Sequence, residues 1–301
     1  MRFMQRKVNR VGPNTLTVSL PAKWAKAHGI KKGDELELEE DGSRIHLSLK
    51  KNDRKKIALN INDAQFLRRY ITSYYRRGFD EIELLCNQDI ADQIRNTLID
   101  SCLGYELIEQ RKGSYLIKNI SSELESEFDS LFKKVFLSTK LMFSDFCIAA
   151  GARRFDNLVQ IAKIEQYNDK LIYFLERILS KKGYGSNFQL LEKKNTLVNL
   201  EHIADECRFL CTYVAENKIG VSEELLKFAK TIFLFFEKVF SLYFMQTKSA
   251  EFFASLRMTE DAIKREMLSL QNFQSKSKQA ILTDKLFNIH NYLHHISELI
   301  F

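Results

Sequence analysis

Arg6-Lys7-Val8-Asn9-Arg10, then Thr15-Leu16-Thr17-Val18-Ser19-Leu20-Pro21, then Lys23-Trp24-Ala25-Lys26-Ala27-His28-Gly29-Ile30, form the stretch on which the reading of this chain turns. Residues 6–11 read as a short strand, and Gly12-Pro13-Asn14 as a turn. Thr15 to Leu20 reads as a second strand, with Leu16, Val18 and Leu20 alternating in period two. Pro21 stands where a helix starts, Lys23 to His28 supply its turns, and Gly29 stops it. Leu36 and Leu38, then Ile45, Leu47 and Leu49, alternate around Asp41-Gly42 as a hairpin. Four short strands in 50 residues make too small a core for an independent monomer, so dimerisation is expected.

The charge is concentrated in the same place. Residues 1–56 hold 14 of the 46 lysines and arginines and 7 of the 39 acidic residues. That excess equals the net charge of +7 for all 301 residues, so residues 57–301 balance at 32 and 32. A surface that seeks polyanions is therefore confined to one end. Lys31, Lys32 and the run from Lys50 to Lys56 read as solvated linkers.

Beyond residue 50 the period changes twice. In residues 51–120, Ile57–Ile61 and Glu81–Cys86 read as strands. Asn62 or Asp63 caps a helix to Arg77 ended by Gly78, and Asp89–Leu103 is a second helix ended by Gly104. Tyr105–Gln110 and Ser114–Ile120 flank Lys112-Gly113 as a hairpin, which completes a small α+β domain of regulatory or spacer type. Residues 121–301 read as helical throughout. Both prolines, Pro13 and Pro21, lie upstream, so nothing interrupts long helices. Leu124, Phe128, Leu131, Val135 and Met142 mark the first seam, between a start at Ser121-Ser122 and a stop at Gly151. Further helices are expected over Arg154–Lys181, Phe188–Asn217, Ser222–Gln246, Glu251–Phe273 and Lys276–Ile300. Six helices suggest two antiparallel three-helix bundles. The fold class expected is α+β, mainly α: a β domain (1–50), a small α+β domain (51–120) and a helical pair of bundles (121–301).

Several classes fall away. No apolar run approaches the roughly 20 residues of a membrane span. The pattern of a secretory leader is missing and the five cysteines are scattered and odd in number, so a cytoplasmic chain with reduced thiols is expected. No Gly-rich phosphate loop, Gly-x-Ser-x-Gly elbow or His-Glu-x-x-His helix is present, and no enzymatic activity is expected. His290, His294 and Glu298 share the spacing of a zinc-binding helix face, yet read better as a solvated face of the last helix. Cys207 and Cys211 read as bundle core.

Residues Arg6 to Glu40 resemble the AbrB/SpoVT swapped-hairpin DNA-binding domains, through Leu20, Pro21, Trp24, Gly29 and Ile30. The resemblance implies interleaved hairpins from two chains, with Arg6, Lys7, Arg10, Lys23 and Lys26 facing double-stranded DNA. The arginine pair usual in the short helix stands here as Ala25 and Lys26, which favours phosphate contact over base reading. The helical part resembles the PhoU family through Leu200-Glu201-His202-Ile203-Ala204-Asp205. That resemblance implies a divalent or transition metal held by Glu165, Asp169, Glu201 and Asp205, each pair four apart on one helix face. The alternative for these four is a polar network paired with lysine or arginine. In the second repeat Glu260 remains, but Lys264, Phe287 and Asn291 occupy the other acidic positions.

The combined order resembles archaeal phosphate-uptake regulators. It implies a homodimeric transcriptional regulator whose helical part senses phosphate status. The competing expectation is an adaptor that does not bind DNA. It would be dimerised by its N-terminal domain and would dock on a phosphate transporter or sensor kinase through the exposed part of the helix around Phe228–Phe244.

Overall fold

A computed structural model describes residues 5–41, 44–49, 55–120, 127–244, 249–271 and 278–300. The chain divides into two compact units, Met1–Asp53 and Arg54–Phe301. The architecture is α+β and mainly α. The starts expected at Ser121-Ser122 and Lys276, the seam residue Leu124, Gly42 of the expected hairpin turn, the ends at Gln246 and Phe273, and most of the run from Lys50 to Lys56 lie outside the described residues.

In the first unit β1 (Val8–Arg10) pairs antiparallel with β2 (Leu16–Val18), in the register Val8 opposite Val18 and Arg10 opposite Leu16. The turn between them closes by a bond from the Val11 N–H to the Thr15 carbonyl at 2.9 Å, with Gly12 at φ +81°. Helix α1 (Ala22–Ala27) follows Pro21. Gly29 ends it at φ +65°, and the Ile30 N–H reaches back to the Ala25 carbonyl at 2.9 Å. This is the left-handed termination that glycine permits. β3 (Leu36–Asp41) and β4 (Arg44–Leu49) form a second antiparallel pair, with Leu38 opposite Leu47.

The second unit starts with a mixed four-stranded sheet. Its strands are β5 (Lys56–Asn60), β6 (Glu81–Leu85), β7 (Tyr105–Arg111) and β8 (Ser114–Asn119), in the order β5-β6-β8-β7. The parallel pair β5–β6 needs a crossover, supplied by α2 (Leu67–Arg76). The Asp63 carboxylate accepts the Gln65 N–H at 2.8 Å and opens one 3-10 turn ahead of it. α2 buries Leu67, Ile71 and Tyr75, one stripe at spacing four. α3 (Ala91–Ser101) joins β6 to β7.

The helices are α4 (Phe128–Gly151), α5 (Phe155–Ala162), α6 (Ile164–Lys182), α7 (Asn187–Glu216), α8 (Glu223–Phe244), α9 (Ala250–Gln271) and α10 (Lys278–Glu298). α4, α6 and α7 pack on one another. α8 packs on α9 and α10, and the two groups join through α4 with α8 and α7 with α10. One expected helix, Arg154–Lys181, is broken. The Lys163 N–H bonds to Gln160 at 3.2 Å, three residues back, and this tight turn lets α5 lie against α4 and α7. Phenylalanines fill the shared core: Phe132, Phe136, Phe143 and Phe146 of α4, with Phe228, Phe235 and Phe236 of α8, are essentially inaccessible. The Phe-rich helix thus turns most of its rings inward. All five cysteines are buried and free, Cys207 and Cys211 among the core residues as expected.

His290 corrects the expectation of a solvated last helix. α10 is covered by both α7 and α8, so His290 faces inward, 1 % exposed, against Phe235 and Phe287. Burial pulls its imidazole down to about 4, which keeps the ring neutral. His294 lies partly buried, its two nitrogens 3.5 and 3.4 Å from the Glu260 and Glu298 carboxylates.

The sheet layer is fastened to the helices by Arg177 of α6, 1 % exposed. Its guanidinium donates to the Asp80 carboxylate at 2.5 Å, the Tyr105 hydroxyl at 3.2 Å, the Tyr75 carbonyl at 3.3 Å and the Phe79 carbonyl. The rings of Tyr75 and Tyr105 lie under it, 5.2 and 5.1 Å from its carbon to their centroids. Gly78 makes the approach possible, because a Cβ there would meet the Lys181 side chain at 2.6 Å. Replacing Arg177 with alanine leaves Asp80 buried without its closest partner. We expect a loss of about 3–5 kcal/mol, read as a lower urea midpoint for the second unit.

Candidate nucleic-acid interface

Alternation and turn chemistry place the basic residues of the first unit. Arg6 and Lys7 precede β1 and are exposed, as is Arg10 at its end. Pairing across β1 and β2 puts Arg10 on the same face as Val8, Leu16 and Val18, while Asn9 and Thr17 take the opposite face. The Arg10 guanidinium donates to the Pro13 carbonyl at 2.7 Å, which steadies the turn and leaves the rest of its fork free to meet an oxyanion. Lys23 and Lys26, three apart on α1, are neighbours on one helix face and both exposed. On the other side of α1, Trp24 lies partly buried, 5.3 Å from the His28 ring.

The apolar residues of this unit are not covered. Val8, Val11, Leu16 and Val18 are all more than half exposed, as are Leu38 and Ile45, and Leu16 reaches 70 %. Among the described residues of the unit no side chain is buried. Two separate two-stranded sheets with bare apolar faces do not hold themselves together in water.

Residues 10–56 match the family model described as "Antidote-toxin recognition MazE, bacterial antitoxin". No curated protein and no solved structure gives a significant match. The N-terminal segment is thus similar to an antitoxin domain, which supports the AbrB-like reading of its hairpins. The match begins at the last residue of β1 and includes α1, β3 and β4, so Arg10, Lys23 and Lys26 fall inside it. Arg6 and Lys7 fall outside. No described helix is long and apolar enough to cross a membrane.

The carboxylate quartet lies in the second unit. Glu165 and Asp169 of α6 and Glu201 and Asp205 of α7 come together, close enough to perturb one another. Arginines are interleaved among them. Arg208 stands 3.2 Å from Glu165 and 3.3 Å from Asp205, and Arg76 of α2 lies 3.6 Å from Glu201 while pairing with Glu176. Among the described residues no three histidine, cysteine, aspartate or glutamate side chains are disposed to hold a metal ion. With Arg208 between Glu165 and Asp205, the quartet has the form of an ion-pair network and does not fit a metal as it stands. Sequence spacing brought the acids together but missed their partners. Arg208, three residues after Asp205, was within reach of that signal, whereas Arg76 arrives from another element.

Asp169 is the member with no ion pair among the described residues, Arg68 and Arg208 acting on it only at longer range. Its Oδ1 is buried without a hydrogen-bond partner. Burial, with Glu165, Glu201 and Asp205 beside it, pushes its carboxyl from an ordinary 3.8 up to about 8. The folded chain therefore keeps a proton that the unfolded chain releases, so stability falls as pH climbs from about 4 to about 8 and then levels. Asp169→Asn abolishes this dependence. Thermal midpoints of the two proteins should diverge between pH 5 and 8.5, the wild type losing ground, whereas parallel curves would mean that Asp169 is ionised throughout.

Proposed function

We propose that the protein is a homodimeric, DNA-binding transcriptional regulator. The observation that carries this reading is a coincidence in one small unit. The first unit, Met1–Asp53, holds 11 basic and 7 acidic residues, a net +4 of the chain's +7, and is also the one whose apolar strand faces lie bare. A second copy of the chain, presenting the same faces, completes that core by symmetry. Arg6, Lys7, Lys23 and Lys26 then occur twice on one assembly, with Arg10 at the end of β1 on the rim of the covered face, and meet the phosphates of double-stranded DNA along two half-sites. The match to an antitoxin family model over residues 10–56 supports the regulatory reading.

The finer reading is a regulator of phosphate uptake, with the helical unit as the sensing part. Its support is the resemblance at Leu200 to Asp205 and the facing carboxylate pairs on α6 and α7. The helical unit responds to its effector and thereby biases the geometry of the two DNA-binding arms.

Two experiments test the reading. Leu16→Lys together with Leu47→Lys places charge on both bare faces. Light scattering should show the dimer reduced to monomer, while the helical circular dichroism of the second unit stays unchanged. A variant that stays dimeric would move the interface elsewhere. The second is fluorescence anisotropy on the DNA upstream of the protein's own gene and on scrambled DNA, over a salt series. The change Arg6→Ala/Lys7→Ala/Arg10→Ala should weaken binding at least tenfold at about 0.1 M salt and flatten the salt dependence, because each lost phosphate contact lowers the slope by about one. Weak binding, indifferent to sequence and to the change, would leave the adaptor reading in front.

A further inference from the structure

A cleft of about 370 Å³ opens in the second unit where the last turns of α2 and α6 meet the early part of α7. Four cations line it: Arg69, Arg76 and Arg77 of α2 and Lys194 of α7. One carboxylate, Glu176, stands among them, and the Arg76 guanidinium already donates to it at 2.8 Å. Among the described residues, Arg69, Arg77 and Lys194 have no carboxylate partner; Arg77 rests only on the Tyr74 ring, at 5.5 Å. Thr72, Ser73 and Ser180 add hydroxyls to the wall.

Helix ends do not account for this charge. Arg76 and Arg77 at the C-terminus of α2 suit the helix dipole, but Arg69 sits in its first turn, where a cation is disfavoured. Arg69, Thr72, Ser73 and Arg76 instead follow one face of α2 at spacings of three and four. Glu176 and Glu201 offset Arg76, which leaves Arg69, Arg77 and Lys194 as a local excess of positive charge that an anion would neutralise. We propose that the cleft binds a small phosphate-class oxyanion, orthophosphate or pyrophosphate, between α2 and α7.

The chemistry of the wall selects this class. Arginine forks and serine hydroxyls match tetrahedral oxyanions, the former with two parallel bonds. No aromatic ring lines the cleft to stack a nucleobase, and no apolar side chain lines it to take a lipid tail. A bound anion would tie α2, and with it the sheet layer, to α7. The inference stands apart from the DNA-binding reading, since every residue in it lies in the second unit.

Isothermal titration of the full chain with pyrophosphate, orthophosphate and, as a control, sulfate at matched ionic strength tests it. We expect one pyrophosphate or orthophosphate per chain, sulfate binding more weakly, and the preferred anion identifying the source. Arg69→Ala/Arg77→Ala and Lys194→Ala should each weaken binding at least tenfold. Both alter accessible positions, and circular dichroism should show their helices intact. Arg6→Ala/Lys7→Ala/Arg10→Ala should bind the anion as the wild type does. The proposal is overturned by an absence of saturable binding, by wild-type affinity in the cleft variants, or by loss only in the N-terminal variant. It is likewise overturned if the cleft variants lose DNA affinity while keeping the anion, which would make the cleft a nucleic-acid contact.

Discussion

The sheet layer and the first helical bundle of the second unit meet at one buried guanidinium. Arg177 reaches from α6 into the corner where α2 turns into β6, and there it satisfies two carbonyls, a phenol and a carboxylate at once. A buried cation is tolerated only when its donors are matched this fully, since desolvation costs several kcal/mol per ion. The same corner is tied to the sheet, because the Asp80 N–H bonds to Lys55 and its carbonyl accepts from Asn119. The sheet layer and the first helical bundle therefore share a fastening and form one compact unit.

A second junction a few residues away uses the opposite logic. Around α2, α6 and α7 the acids are in excess toward Asp169 and the cations toward Arg69 and Arg77. Arg76 lies between the two groups and pairs with Glu176 and Glu201. Its guanidinium is partly buried and carries both pairs, so the charge on one side of α2 is felt on the other. The crossover helix of a four-stranded sheet thus doubles as an electrostatic divider between an acidic cluster and a basic cleft.

Local signals were readable where the physics is local. Gly12, Gly29, Gly78 and Gly113 all adopt positive φ at the turns and helix ends where the sequence placed them. Asp63 caps as expected, and the lack of proline beyond Pro21 does coincide with long helices. The break at Lys163 carried no signal, since Ala162, Lys163 and Ile164 all suit a helix and packing on α7 decides the bend. His290 was misread for the same reason. Its i,i+4 partner His294 suggests a polar face, but whether a helix face is polar depends on how many neighbours cover it, and α10 has three, α7, α8 and α9. The quartet of acids was visible by spacing, whereas Arg76 and Arg177 meet partners about a hundred residues away, which no window along the chain can show.

The five cysteines close inside the fold have a practical meaning. Burial pushes the thiols of Cys102, Cys147 and Cys211 up to about 12, so they hold their protons and are poor nucleophiles at neutral pH. An oxidising environment therefore finds little to react with while the chain is folded. Because the cysteines are spread over the β6 end, the α3 end, α4 and α7, each region carries its own silent reporter. The rate at which a thiol reagent labels each one measures how often that part of the molecule opens.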